Sequence, residues 1–495
     1  MKIKYLLTVI AIVAITKSSF AQYSQDAIRF STFQTGSTSR IKAIGNAGTA
    51  IGGDLSSISG NPAGLGFFTH SELSITPEFN GSKVNSTYQG QFGTDSKSNL
   101  NFNNASVVIY QQLSTPRGRD KTKGWLSINY GAAYSRTNNF YENITYGGAN
   151  KTSSISDYYN NLAKDQVKQY GSVNPDGLDG WAYDHYLIDN FGDAANPASY
   201  SSTVNVPVNQ INNTIRTGGQ SEVNLAFGAN YSNKLYIGLS VSLSDIRYNS
   251  YNSFGETGTT VPVNGSSTDA GFNSSFVQDQ ITKGSGGNVK LGVIYKPVNA
   301  VRLGLTVTSP TFYSIDDSYI ESLHTQFQNG NSYNNQSQDY QLSYNMRTPF
   351  KLTGGAAIFI GKYGFISGDV DYIDYTTTHI SSNDSYTADF DNGNIKALYR
   401  ATVNAHVGAE ARLNSMFYLR GGYGIQGSPL KQNGSDIKTV TGGIGVRFGS
   451  YYIDATYAHL SSNQTVYPYE IAAASPAADL KKTNNNAFLT LGYTF

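Results

Sequence analysis

The sequence predicts an all-β protein, a transmembrane antiparallel β-barrel of about 14 strands, and three observations carry the prediction. The C-terminal stretch alternates: Ala487, Leu489, Leu491, Tyr493 and Phe495 fall on one face of an extended chain, and Phe488, Thr490, Gly492 and Thr494 on the other. The same period recurs upstream in Val223, Leu225, Phe227, Ala229 and Tyr231, and again in Leu235, Ile237, Leu239, Val241 and Leu243. A soluble sandwich also alternates, but here the second face is Gly, Ser, Asn and Thr with isolated charges, which is the composition of a barrel interior. The connections between alternating segments are short and long in turn, as periplasmic turns and outer loops are.

Composition narrows the alternatives. Of 495 residues, 39% are hydrophobic and only 14% charged, against roughly 25% charged in ordinary soluble domains. The 35 basic and 34 acidic residues leave a net charge of +1, so there is no electrostatic footprint for nucleic acid. The 37 Tyr and 24 Phe argue against disorder. Cysteine is absent, which excludes disulfides, thiolate metal sites, cysteine nucleophiles and a lipidated N-terminal cysteine. His70, His185, His324, His379, His406 and His459 are scattered without metal-ligand spacing. No catalytic residue, metal or cofactor is expected.

Lys2 and Lys4 precede an apolar run from Tyr5 to Ile15, and Ser19 and Ala21 place small residues where a signal peptidase reads them. Residues 1–21 read as a signal peptide cleaved after Ala21. The run is about half of the roughly 20 residues a spanning helix needs. The expected location is the outer membrane, reached through the Sec pathway.

Strands are expected near 71–80, 102–113, 124–140, 221–231, 235–249, 289–297, 300–314, 338–360, 363–376, 398–412, 416–426, 437–448, 451–461 and 486–495. Pro349 makes 338–360 either one bent strand or two. Short turns at 232–234, 297–300, 361–362, 413–415 and 449–450 alternate with long polar segments near 81–101, 141–220, 250–288, 315–337, 377–397, 427–436 and 462–485. The short turns and both ends of the barrel then face the periplasm. Within the longest segment, Ser154 to Tyr170 reads as a short amphipathic helix. The last strand, ending in Phe495, looks like the signal that barrel assembly machinery reads, so that machinery is an expected partner together with outer-membrane lipid and lipopolysaccharide. A monomer is expected.

The segment 22–70 does not alternate. It is dense in small residues, with Asp54 after a run of Gly and Ala, and then Asn61, Pro62, Ala63, Gly64 and Leu65 just before the first strand. Small residues at this density suit close backbone packing. A wall of about 14 strands is too wide for its own side chains to fill, so something must occupy the lumen. At these residues the chain resembles the FadL/TodX family of outer-membrane transporters for fatty acids and other hydrophobic compounds. The resemblance implies residues 22–70 as a hatch plugging a barrel of residues 71–495, and passive uptake of a hydrophobic small-molecule ligand such as a long-chain fatty acid or an aromatic hydrocarbon. It also implies a sideways exit through the wall at the third strand, where Gly131, Ala132 and Ala133 are the candidate opening. An adhesive or structural barrel with long binding loops is the alternative reading. A lipase-type barrel enzyme is a further one, but it needs a nucleophile and a His facing each other, and the sequence shows no such pair.

With the apolar face turned to lipid, the lumen face carries Lys290, Arg302, Lys351, Asp369, Asp371, His406, Glu410, Arg412, Arg420, Arg447 and Asp454. Arg412, Arg420 and Arg447 come from three successive strands. Either they form a cationic ladder for a carboxylate headgroup, or they pair with Glu410, Asp454 or Asp54 and hold the plug.

Overall fold

A computed structural model of the chain describes residues 22–32, 34, 36–114, 120–192, 199–261, 270–383, 385–471 and 475–495; the expected signal peptide lies outside them. Ahead of the first strand come two helices, α1 (Gln22–Ser31) and α2 (Ser39–Ala43), and two 3₁₀ turns, Leu55–Ile58 and Pro62–Phe67. The wall then runs β1 (Glu72–Tyr88), β2 (Gln91–Ile109), β3 (Trp125–Asn139, continued by Glu142–Asn150), β4 (Val204–Tyr231), β5 (Leu235–Thr260) and β6 (Ala270–Val298). It continues through β7 (Val301–Thr308 and Phe312–Phe327), β8 (Tyr340–Arg347 and Lys351–Ile360), β9 (Gly364–Asp374) and β10 (Ala401–Arg412). The last four strands are β11 (Phe417–Gln426), β12 (Ile437–Phe448), β13 (Tyr451–Val466) and β14 (Ala478–Thr494). Every strand pairs antiparallel with its neighbours, and β1 closes on β14 from Glu72↔Thr494 to Tyr88↔Ala478. Up to the level of Asn104 and Ser135 the closed wall leaves no edge, which is what allows a sheet to stand in hydrocarbon.

The fourteen expected strands are all present. The segment around Pro349 is one wall strand in two pieces, because proline has no N–H for the ladder. β7 is parted alongside it at Pro310, and Thr348 N donates to Thr311 O at 3.0 Å across the two breaks.

The outer loops are much shorter than expected. The segment 81–101 is strand except for a tight turn at Gln89 and Gly90 (φ 49° and 76°), and most of 250–288 and 315–337 is strand as well. β5 shows why. Ile237, Val241 and Leu243 point outward and are exposed, while Ser240, Ser242 and Ser244 are buried inside. Beyond Ser244 the assignment flips: Asp245, Arg247 and Asn249 face out, and Ile246, Tyr248 and Phe254 are buried inside. The backbone ladder runs through without a break. Below the flip the strand separates lipid from a polar lumen, and above it the strand separates water from an apolar core. Exposed Trp125, Tyr231, Tyr295, Phe417, Phe448, Tyr451 and Phe495 ring the short-turn end, as aromatic side chains do at a membrane interface.

The outer connections carry α3 (Ile155–Tyr170) and α4 (Leu178–Asp184) between β3 and β4, and α5 (Ser385–Leu398) between β9 and β10. Ser154 caps α3 in a capping box with Asp157, so the expected helix at 154–170 is present. Tyr159, Ala163, Val167 and Trp181 bury their side chains against Phe254, Phe272, Phe276, Leu323 and Phe327 of β5, β6 and β7, which roofs the barrel. The roof is anchored at Glu256 on β5, which accepts hydrogen bonds from Ser154 Oγ (2.5 Å), Ile155 N (3.1 Å) and Gln210 Nε2 (2.6 Å).

Two outcomes follow from this wall. Leu239→Arg, mid-band on the lipid face of β5, is expected to cost about 2–4 kcal/mol in urea titrations of the liposome-inserted protein. The same change at Asn249, on the same face above the band, is expected to cost about 0–1 kcal/mol. Burial holds the Glu256 carboxyl above the ordinary range, against its hydrogen bonds. The docked roof therefore binds more protons than an undocked one, so its stability is present at low pH and is lost as pH rises through the docked value. The protection factor of α3 amides, taken relative to the intrinsic exchange rate at each pH, is expected to rise as pH falls toward the ordinary carboxylate range, and Glu256→Gln to abolish that rise.

Candidate functional site

The N-terminal segment lies against the inward faces of the wall, and its chemistry begins with two caps. Asp54 accepts hydrogen bonds from Ser56 N and Thr38 Oγ1, both at 2.9 Å, and starts the first 3₁₀ turn. Asn61 Oδ1 accepts from Ala63 N at 3.1 Å and starts the second, with Pro62 in the position whose N–H would be unpaired anyway. Gly64 lets the two turns touch, since a Cβ there would stand 2.2 Å from Ser57 Oγ.

The wall meets this motif with a level seat. Gly228, Gly238 and Gly292 are direct cross-strand partners on β4, β5 and β6. A Cβ at Gly238 would lie 2.3 Å from the Pro62 carbonyl carbon, and one at Gly292 1.9 Å from Asn61 Oδ1. Asn129, paired with Gly228, extends the seat to β3 and donates to Leu65 O at 2.6 Å and Phe68 O at 3.1 Å. Farther round, Gly304 and Gly355 clear Thr49, and Gly408 and Gly422 clear Ile44. Asp369 accepts from Thr49 N at 2.8 Å, and Ser39 N donates to Thr490 Oγ1 at 2.7 Å. Ile44, Ala47, Ala50, Ile58, Ala63 and Leu65 are fully buried in consequence. A cavity of about 60 Å³, lined by residues that include Asp54, Ser57 and Asn61, lies within the segment itself.

Two of the three lumen arginines lie in a relay of ion pairs. Arg40 of α2 reaches Glu410 (2.8 Å), Glu410 reaches Arg420 (2.6 Å), Arg420 reaches Asp454 (2.6 Å), and Asp454 reaches Arg447 (2.9 Å). Arg40 also stands 3.7 Å from Asp54. Arg420 and Asp454 have 1% exposed side chains, so this charge is spent on tying α2 to β10, β11 and β13. Arg412 does not join it. β10 ends at that residue, and the exposed side chain turns to Asn414 O at 3.1 Å on the short-turn rim.

Gly131, Ala132 and Ala133 are paired on both sides, to Val108, Val107 and Ser106 of β2 and to Ala226, Leu225 and Asn224 of β4. An opening there is not formed; a Cβ on Gly131 would meet Ile58 at 2.7 Å. The ladder between β2 and β3 ends instead at Asn104↔Ser135. Above that point the N-terminal segment bridges the seam: Gln34 N donates to Thr137 O (2.9 Å), Asn103 Nδ2 to Ser37 O (2.6 Å) and Asn138 Nδ2 to Thr32 O (2.8 Å).

Above the seat is an apolar chamber, filled by α1. Tyr23, Ala27, Ile28 and Phe30 pack against Phe140, Ile246, Tyr248, Ile315, Tyr344 and Met346 of the wall and against Ala388 and Ile395 of α5. Ring centroids of Phe30 and Phe140 are 5.8 Å apart, and those of Tyr23 and Tyr344 5.5 Å.

No family model matches the chain, and no curated protein does. Solved structures do. The toluene transporter TodX of Pseudomonas putida aligns over 94% of this chain and 100% of its own, at 13% identity and a TM-score of 0.50. A FadL homologue of Pseudomonas aeruginosa aligns over 94% and 98%, at 11% identity and a TM-score of 0.51. The chain has the FadL/TodX-type outer-membrane barrel fold. The monoaromatic hydrocarbon channel CymD, 10% identical with a TM-score of 0.50 over 94% of this chain and 99% of its own, shares it.

Within this FadL-type fold, sequence reasoning missed the seat, Arg40 and the role of α1. Gly228 and Gly238 were legible as interior positions, but only register shows them level with Gly292. Gly238→Val is expected to unseat the motif while leaving the lipid face intact. Single-channel recordings in planar bilayers should then show openings that the unaltered protein lacks, at unchanged heat-modifiable migration of the barrel.

Proposed function

We propose that the chain is a passive outer-membrane channel for hydrophobic small molecules, long-chain fatty acids or aromatic hydrocarbons, with residues 22–70 as its hatch and residues 71–495 as its barrel. The observation that carries the reading is the apolar chamber above the polar lower lumen. Such a chamber has no role in holding the wall in lipid, and it suits an apolar solute entering from under the roof. The structural neighbours, a toluene transporter and a monoaromatic hydrocarbon channel, support the same class. Passage requires α1 to leave the chamber and the bridge Thr32–Ser37 to leave the β2–β3 seam. That seam begins beside Phe102 and Tyr134, whose ring centroids are 6.3 Å apart. The sideways exit is assigned to it, above Gly131 rather than through it. Glu410, Arg420 and Asp454 anchor the part that stays. This is the chemistry of a channel, with no bond made or broken.

The chain has no cysteine, so an engineered pair reports cleanly. Ser37→Cys with Asn103→Cys places a disulfide across the bridge. Uptake of radiolabelled oleate and of toluene by cells carrying this variant is expected to fall to the level of cells without the protein, and to recover on reduction. Uptake that is equal with and without the protein overturns the transport reading. Uptake that persists in the oxidised variant overturns the seam.

A further inference from the structure

Above the lipid band, the outward face of the wall distributes its cations unevenly. Register sets the outward residues of β12, β13, β14 and β1 in rows. The last apolar row holds Tyr457, Ala487 and Phe79, and Leu100 of β2 continues it. Tyr457, Phe79 and Leu100 are 54%, 50% and 77% exposed. In the next row, Asn485 Oδ1 accepts from Tyr457 Oη at 2.7 Å and meets His459 Nδ1 at 2.8 Å, an arrangement suited to the membrane–water boundary, where amphipathic rings collect. The row beyond it holds Lys438, Ser461, Thr483 and Lys83, and Lys481 stands one further step up beside Asn85.

Lys83, Lys438 and Lys481 are exposed, and among the described residues none of them makes an ion pair. The acidic residues next along these strands lie farther from the band and have other partners: Asp479 accepts from Thr465 Oγ1 at 2.7 Å, and Asp436 from Ser428 N at 2.9 Å. On β5, β6 and β7, across the barrel, the outward cations just above the band have acids of their own. Arg247 lies 3.3 Å from Asp245, and Lys283 is the cross-strand partner of Asp316.

Height and spacing give the three lysines a ligand class. Their lower row stands two residues above Asn485, about 7 Å along the strand and about 5 Å in height at the tilt of a barrel strand. The polar layer of a bilayer is about 5–8 Å deep, so the ammonium groups lie within it, on stems that bend toward the apolar row. Lys83 and Lys481 are diagonal neighbours across β1 and β14, about 7–8 Å apart, and repel each other unless an anion lies between them. We propose that this patch binds the phosphate groups of outer-leaflet lipopolysaccharide, with Lys83 and Lys481 sharing one phosphate and Lys438 reaching the same headgroup from β12. The apolar row directly below selects an anion that carries acyl chains over a free polyanion, because those chains cover Phe79 and Leu100. The patch lies on the outside of the wall and stands apart from what the channel carries.

Native mass spectrometry of the full-length protein in detergent, in buffer without divalent cations, compares bisphosphorylated lipid A with the same lipid A stripped of phosphate and with phosphatidylglycerol. The intact protein is expected to bind the bisphosphorylated form at least about tenfold more tightly than the stripped form. Changing Lys83→Gln, Lys438→Gln and Lys481→Gln together is expected to abolish that preference, and arginine at the same three positions to keep it. Arg247→Gln with Lys283→Gln is expected to alter it less than about twofold. A triple glutamine variant that binds like the intact protein, at unchanged heat-modifiable migration, overturns the proposal, as does an intact protein indifferent to phosphate. An equal loss in the β5–β6 variant overturns the location. Phosphatidylglycerol held as tightly as lipid A overturns the assignment to lipopolysaccharide.

Discussion

The approach of one backbone to another at the level of Gly228, Gly238 and Gly292 is the contact on which the rest of the structure depends. A wall of fourteen strands encloses more space than inward side chains fill, and polypeptide fills the remainder here. Polypeptide brings N–H and C=O groups that must all be paired once water is excluded. The seat meets this demand in two ways. Glycine removes the Cβ that would hold the chains apart, and Asn61, Asn129, Asp369 and Ser39 supply or receive the bonds that bare backbone cannot complete across the gap. The ion relay from Arg40 to Arg447 adds direction, because buried charges of this kind tolerate little displacement.

A second theme is that each long strand serves two solvents in succession. β5 remains a continuous ladder while its outward face changes from Leu243 to Asp245 and its inward face from Ser244 to Ile246. A one-residue slip would send every side chain to the wrong side, and near the flip it would do so with respect to both media at once. The chamber and roof are consequences of the upper phase. The lipid band and polar lumen are consequences of the lower.

This division also explains what could be read in advance. Strands were legible where lipid lies outside, because Val223 to Tyr231 and Leu235 to Leu243 contrast sharply with their Gly and Ser neighbours. Above the band the outward face is Asp, Arg, Asn and Thr and the inward face mixes Tyr and Phe with Gln and Thr, so the pattern resembles a polar loop. The partners of Arg420 and Arg447 were legible because Glu410 and Asp454 share their parity. Arg412 shares it too, but its strand ends there, and parity carries no information about height. Arg40 and α1 lie where no period exists, so only the folded chain brings them to Glu410 and to Tyr248.

Ser39 touches the last two strands of the wall, next to the closing seam. Its N–H binds Thr490 on β14 and its hydroxyl binds Thr456 on β13, while Thr490 in turn meets Thr76 of β1 across the join. The segment ahead of the wall is therefore stitched to the last strands. A cylinder roofed by α3 and α4 and joined between its first and final strands encloses the N-terminal segment, so packing of the segment and closure of the wall are coupled. The residues that seal the wall are hydrogen-bonded to what they enclose.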